Sequence, residues 1–192
     1  MAGEHGLAAV VLAGGAASRL DGIDKSQIVV HGRTLLNRTL AAVAEADPLV
    51  VVGPRRDAER VVRWTRESPP GGGPLAAIDA GLRAMPEHRG LVAVLAVDHP
   101  WVTAATMHRL RAALLEHDSA SGAVLQDDRP QWLVGVWWCE ALRAAMPSEV
   151  AGRAVRSLLV GLPSVRVPPA SGEASDVDTP EDVRQVRGHG FH

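Results

Sequence analysis

Arg19 and Lys25 are two cations set behind a pair of adjacent glycines, Gly14 and Gly15, and these follow an apolar run from Leu7 to Leu12. Adjacent glycines admit positive φ and let a ligand reach the backbone with no Cβ in the way. Amide N–H groups in such a turn can point at phosphate oxygens. A plain turn needs no pair of cations beside it, so the stretch reads as a loop for a nucleoside triphosphate. The alternative is a strand-to-loop turn with solvated charges. The loop is not the Gly-x-x-x-x-Gly-Lys-Ser/Thr motif, whose spacing occurs nowhere here. Gly14, Gly15 and Gly22 also miss Gly-x-Gly-x-x-Gly, and no helical pattern starts directly behind them.

Asp98 stands directly after a second apolar run, Leu91–Val97, with Pro100 stiffening the turn behind it. A carboxylate at a strand end suits Mg²⁺, which takes oxygen ligands and binds through one or two carboxylates plus substrate phosphates. The alternative is that Asp98 caps the turn and the following helix. A third stretch, Pro69-Pro-Gly-Gly-Gly-Pro74, offers backbone donors and acceptors to a base edge without steric hindrance. Guanine would need an acceptor for its N1–H and 2-amino group, and Glu67 is the candidate by position. Asp178 precedes Thr179-Pro180-Glu181, which is good helix-start chemistry on its own. The single cysteine, Cys139, has no nearby histidine and reads as a small buried residue. The eight histidines show no zinc-ligand spacing. Trp132, Trp137 and Trp138 are read as packing residues in preference to ring-stacking ones.

The elements that must position these groups alternate between strand and helix patterns, which predicts an α/β domain with a mostly parallel sheet. Strands are expected at Leu7–Leu12, Leu49–Val52, Val61–Trp64, Leu91–Val97, Ala123–Leu125, Gln131–Trp138 and, at an edge, Ser164–Val167. Leu91–Val97 is apolar throughout, as a central strand covered on both faces should be. The two strands around Gln126–Pro130 are the only hairpin-like pair, so an antiparallel element is expected there. Helices are expected from Thr34, with Leu35, Leu36, Leu40 and Val43 on one face, from Pro74 to Met85, behind Thr103, at Cys139–Met146, at Arg153–Val160 and at Pro180–Arg187. Ligands of open α/β sheets bind beyond the carboxyl ends of the strands. Gly14–Lys25, Gly53-Pro54 and Asp98–Pro100 all follow strands in that way.

With 192 residues and 46% hydrophobic content, the chain can bury one domain, expected over 1–187 with a disordered tail at 188–192. A net charge of −2 and scattered basic residues argue against a nucleic-acid binder. One cysteine allows no intrachain disulfide and suits a reducing compartment. No apolar run approaches the length of a membrane span, and the N-terminus lacks signal-peptide character. A cytoplasmic protein, monomeric or weakly homo-oligomeric, is expected.

Leu12-Ala-Gly-Gly-Ala-Ala-Ser-Arg19, then Asp24-Lys25, resembles the signature of nucleotidyltransferases, most of all the molybdenum cofactor guanylyltransferase family. The chain has Leu20 and Asp21 where that signature has Met and Gly. Asp98-His-Pro, Pro70-Gly-Gly-Gly-Pro-Leu-Ala77, Arg129-Pro-Gln-Trp-Leu-Val-Gly135 and Asp178-Thr-Pro-Glu-Asp182 are similar to further motifs of the family in the same order. The resemblance implies a Rossmann-like three-layer α/β/α fold and transfer of GMP from GTP to molybdopterin, with release of pyrophosphate. It implies that Leu12, Ala13, Gly14, Gly15, Arg19 and Lys25 hold the triphosphate. Gly73, Pro74 and Leu75 would pass the base, Asp98 and Asp178 would ligate Mg²⁺, and Gln131 would face the acceptor. Other readings stay open at this level. One is a different base or acceptor: a cytidylyltransferase on the pterin, or a sugar-1-phosphate or phospholactate enzyme. Another is a non-catalytic nucleotide-binding protein.

Overall fold

A computed structural model describes residues 6–14, 24–170 and 172–188. Gly15, Arg19, Leu20 and Asp21, and positions 189–192 of the expected tail, lie outside the described residues.

Seven strands form one sheet: β1 (Leu7–Leu12), β4 (Leu49–Val52), β5 (Arg63–Thr65), β6 (Leu91–Ala96), β7 (Gly122–Gln126), β8 (Pro130–Trp138) and β9 (Ser164–Val167). Their spatial order is β5-β4-β1-β6-β8-β7-β9. All pairings are parallel except those of β8, which runs antiparallel to both β6 and β7. The helices are α1 (Leu35–Ala42), α2 (Gly73–Arg83), α3 (Ala104–Leu115), α4 (Cys139–Ala145), α5 (Val155–Leu159) and α6 (Pro180–Gly188).

Side chains on a strand alternate between faces, and β1 shows what that does. Leu7, Ala9 and Val11 enter one core with Leu35, Leu36 and Leu40 of α1 and Met107, Leu110 and Leu114 of α3. Ala8, Val10 and Leu12 enter the other, against Leu75, Ile78 and Leu82 of α2. The result is three layers with the sheet in the middle. Small residues set the spacing on the second face: a Cβ added at Gly81 of α2 would lie 2.4 Å from Val10 Cγ1.

The register brings the functional ends together. Leu12 pairs with Val52 on one side and Ala96 on the other, and Val52 pairs with Thr65. The carboxyl ends of β1, β4, β5 and β6 therefore finish at one level.

The structure corrects two expectations. The third strand lies at Arg63–Thr65, not Val61–Trp64; pairing with β4 recruits only those residues, and Val61 is fully exposed. The hairpin of β7 and β8 is also not the only one. β2 (Val29–Val30) and β3 (Arg33–Thr34) form a two-stranded sheet closed by His31 and Gly32, both at positive φ.

Candidate active site

β1 ends in Ala13-Gly14, fixed by the Ala13 amide donating to Val52 O at 2.9 Å. Gly53, at φ +149°, passes so close that an added Cβ would lie 2.8 Å from Gly14 N. Only glycine permits this crossing of the loops behind β1 and β4. The chain re-enters at Asp24, whose carboxylate caps a short 3₁₀ turn, Lys25–Gln27, by accepting from Ser26 N at 3.0 Å and Ser26 Oγ at 2.6 Å. The other Asp24 oxygen accepts from Arg56 Nε at 2.6 Å. Burial pushes the Asp24 carboxyl up, but the bonds from Ser26 and Arg56 outweigh it and hold the pKa below the ordinary value. Asp24 is thus a fixed anion that seats Lys25.

Lys25 points into a cleft of about 390 Å³ beyond the strand ends. Its walls include Leu12, Ala13 and Gly14 from β1, Glu67 and the Gly71–Pro74 loop, and Asp98. The Lys25 ammonium is ion-paired with Asp178 and lies 4.0 Å from Asp98 Oδ2. Glu67 Oε1 accepts from Gly71 N at 3.2 Å, which turns its carboxylate toward Gly14.

Asp98 does not cap α3. Thr103 and Thr106 form that cap between themselves. Asp98 Oδ1 is buried with no hydrogen-bond partner among the described residues, and His99 Nε2 stands 3.7 Å away. An unpaired buried carboxylate oxygen costs at least about 1–3 kcal/mol, a cost that an added cation removes. Asp178 is not the helix cap either. Thr179 Oγ1 accepts from Asp182 N at 3.2 Å, and Asp182 accepts from Thr179 N at 2.7 Å and Asp178 N at 2.9 Å. This is a capping box shifted by one residue. The Asp178 carboxylate is left to face Lys25. Two carboxylates with one unsatisfied oxygen, beside a cleft, fit a hard divalent cation. No group of three acidic, histidine or cysteine side chains occurs among the described residues, so substrate oxygens would complete such a site.

A buried latch sets the Asp178 segment in place. Glu173 accepts from Thr106 Oγ1 at 2.6 Å, Arg109 Nη1 at 3.1 Å and Ala170 N at 2.7 Å. Four residues on, Val177 N donates to Asp98 O at 2.9 Å. Burial raises the Glu173 carboxyl, but Arg109, Thr106 and the Ala170 amide outweigh it and hold the pKa below 4.5. A depressed carboxylate stabilises the fold above its unfolded pKa and loses that contribution as pH falls through the folded value. Thermal melts of wild type and Glu173→Gln should therefore differ most above about pH 4.5 and converge below it. A gap that stays constant into strong acid would show that the charge contributes nothing.

The structure thus brings Leu12, Ala13, Gly14, Lys25, Glu67, Gly73, Pro74 and Asp98 to one cleft, with Asp178 at its edge. It does not bring the Leu75 side chain there; that residue is fully buried under α2. Gln131 lies in a separate groove of about 570 Å³, which meets the cleft at Asp98 and Leu133. Sequence reasoning gave Asp24 no role of its own and missed Arg56. Asp24-Lys25-Ser26 carries the capping signal in its order, while the Arg56 partnership carries none.

A sheet between two helical layers, with a glycine-lined cleft, a cation and an acidic pair at its strand ends, defines an α/β domain of the kind that takes ligands beyond its strand ends. The MobA-like NTP transferase domain family matches residues 9–165. A molybdenum cofactor guanylyltransferase of Bradyrhizobium sp. (strain ORS 278) is 33% identical over 151 residues, 73% of this chain and 71% of the relative. One from Acidiphilium cryptum is 37% identical over 117 residues, and that alignment spans only 59% of the relative's length. Among solved structures, the molybdopterin-guanine dinucleotide biosynthesis protein A of Archaeoglobus fulgidus shares the fold, with TM-score 0.70 at 22% identity over 93% of this chain and 96% of that one. The 2-C-methyl-D-erythritol 4-phosphate cytidylyltransferase of Thermus thermophilus shares it too, with TM-score 0.67 at 19% identity over 95% of this chain and 97% of that one. The chain belongs to the MobA-like NTP transferase domain family. No described helix is long and apolar enough to cross a membrane.

Proposed function

We propose that the protein transfers GMP from GTP to a molybdopterin phosphate, giving molybdopterin guanine dinucleotide and pyrophosphate. The observation that carries this reading is the single cleft that joins the Gly14 backbone, Lys25, Glu67 and the half-satisfied carboxylate of Asp98. The guanylyltransferase relatives support the choice of base and acceptor.

An oxygen of the acceptor phosphate attacks the α-phosphorus of GTP. A new P–O bond forms there, the α–β bridging P–O bond breaks, and its electron pair leaves on pyrophosphate. A phosphate monoester has a second pKa of about 6, so it is largely dianionic at neutral pH and needs no general base. The barrier is the approach of two anions and the charge gathering on the leaving group. The Gly14 amide and Lys25 hold triphosphate oxygens, with Gly15 and Arg19 assigned there by motif. Asp98 and Asp178 would hold Mg²⁺, which would supply charge neutralisation of the phosphates. Catalysis is positioning and electrostatics. Glu67 accepts from the guanine N1–H and 2-amino group, a pair of donors that cytosine does not present.

The test is a panel of thermal shifts with ATP, CTP, GTP and UTP, each with and without Mg²⁺. Wild type should shift most with GTP plus Mg²⁺. Glu67→Gln turns one acceptor oxygen into a donor, and it should reduce the GTP shift toward that of ATP and leave the others alone. A largest shift with CTP would favour a cytidylyltransferase.

A further inference from the structure

Most arginines among the described residues are committed to carboxylates or carbonyls, among them Arg33, Arg56, Arg109 and Arg143. Arg129, Arg156 and Arg166 are among those that are not: none of their guanidinium groups forms a hydrogen bond or ion pair with a described residue. They come from the β7–β8 turn, α5 and β9, far apart in sequence, and they line one groove. That groove meets the nucleotide cleft at Asp98 and Leu133, which line both. Convergence of unspent guanidinium groups from three elements is not needed for folding. It creates a local positive field that a phosphate would fill, and arginine matches phosphate oxygens with paired donors.

The rest of the wall is suited to a different kind of group. The Arg166 guanidinium carbon lies 4.6 Å from the Trp132 ring centroid, which stacks cation on ring inside the groove. Val155 lies alongside, and Val160 is 59% exposed, one of few large apolar side chains left open to water. The groove thus sets guanidinium groups and an apolar, aromatic wall side by side.

The resemblance already puts Gln131 on the acceptor side; we propose further that Arg129, Arg156 and Arg166 receive the phosphate monoester of an acceptor whose ring system lies against Trp132 and Val160. This rests on the nucleotidyltransfer reading above and adds the residues that hold the second substrate. Asp98 and Asp176 stand at the same groove, and their charge would repel a dianion. Three guanidinium groups offset that repulsion and let the acceptor approach the triphosphate from across Asp98.

The experiment measures pyrophosphate release from saturating GTP and Mg²⁺ as molybdopterin is titrated, for wild type and for Arg129→Gln, Arg156→Gln and Arg166→Gln. Arg55→Gln is the control, since it removes the same charge on the far side of Gly53. Each groove variant should raise the acceptor KM by about ten- to a hundredfold, the effect of losing a charge-assisted hydrogen bond. The GTP-induced thermal shift and the Arg55→Gln acceptor KM should stay at wild-type values. Unchanged acceptor KM in all three groove variants, with wild type active, would overturn this assignment and leave the nucleotidyltransfer reading standing. An equal rise in Arg55→Gln would overturn it as well, by reducing the effect to net charge. No acceptor-dependent release from wild type would remove both readings.

Discussion

Lys25→Ala is expected to do two opposite things: weaken GTP binding by about ten- to a hundredfold and let the protein bind Mg²⁺ without nucleotide. The first follows from losing a cation at the triphosphate. The second follows from where that cation now rests. Its ammonium is paired with Asp178 and lies 4.0 Å from Asp98 Oδ2, so it occupies the approach to the same two carboxylates that would hold a divalent ion. Lys25 and Mg²⁺ therefore compete until triphosphate oxygens draw the ammonium away. Removing the side chain removes the competitor. Calorimetry of Mg²⁺ binding to the nucleotide-free variant, beside a GTP titration, reads both effects. Normal GTP affinity would mean that Lys25 serves only the Asp178 pairing. Weakened GTP binding with no gain in Mg²⁺ binding would place the metal elsewhere.

Asp98→Asn should cut turnover severely and leave the fold intact. The Asp98 side chain caps no element: Oδ1 has no hydrogen-bond partner among the described residues, Oδ2 lies 4.0 Å from the Lys25 ammonium, and the contact that holds the neighbouring segment uses the Asp98 backbone carbonyl. The melting temperature should therefore stay near wild type, since the substitution keeps the shape of a partly exposed side chain and removes only a long ion pair. The Mg²⁺-dependent part of the GTP thermal shift should vanish. Pyrophosphate release should fall by about 10²–10³-fold, the range for losing one preorganised electrostatic group. Asp178→Asn should be milder, because an amide oxygen still ligates a hard cation. Equal, small effects at both positions would leave a nucleotide-binding fold without a metal centre at these carboxylates.

The fold was legible where burial is complete on both faces. Leu7–Leu12, Leu49–Val52 and Ser164–Val167 have the strand boundaries that their apolar and β-branched runs predict, and Leu91–Ala96 falls one residue short of its run. Thr34 and Thr103 cap the helices that follow them. Periodicity failed where an element is too short to show it. β2 and β3 have two residues each, held by the His31-Gly32 turn, and β5 takes its limits from pairing with β4 and not from the apolar Val61-Val62.

The candidate site was legible in part for a similar reason. Gly14, Glu67 and Asp98 follow strand ends that the register aligns, so local sequence predicts their meeting, and the Lys25–Gln27 turn brings Lys25 to the same cleft. Asp178 was ambiguous because its place before Thr179-Pro180-Glu181 also suits a helix cap, and only the bonds between Thr179 and Asp182 free its carboxylate from that role. The Asp24–Arg56 pair and the three groove arginines depend on contacts between distant segments. No spacing rule anticipates them.

The most direct test of the central claim is pyrophosphate release by the purified protein, with GTP, Mg²⁺ and molybdopterin supplied together and each omitted in turn. The account predicts release only when all three are present, loss of release in Asp98→Asn, and little release when CTP, ATP or UTP replaces GTP. Release that proceeds with CTP but not GTP, or that is absent although GTP and Mg²⁺ bind tightly, would contradict it.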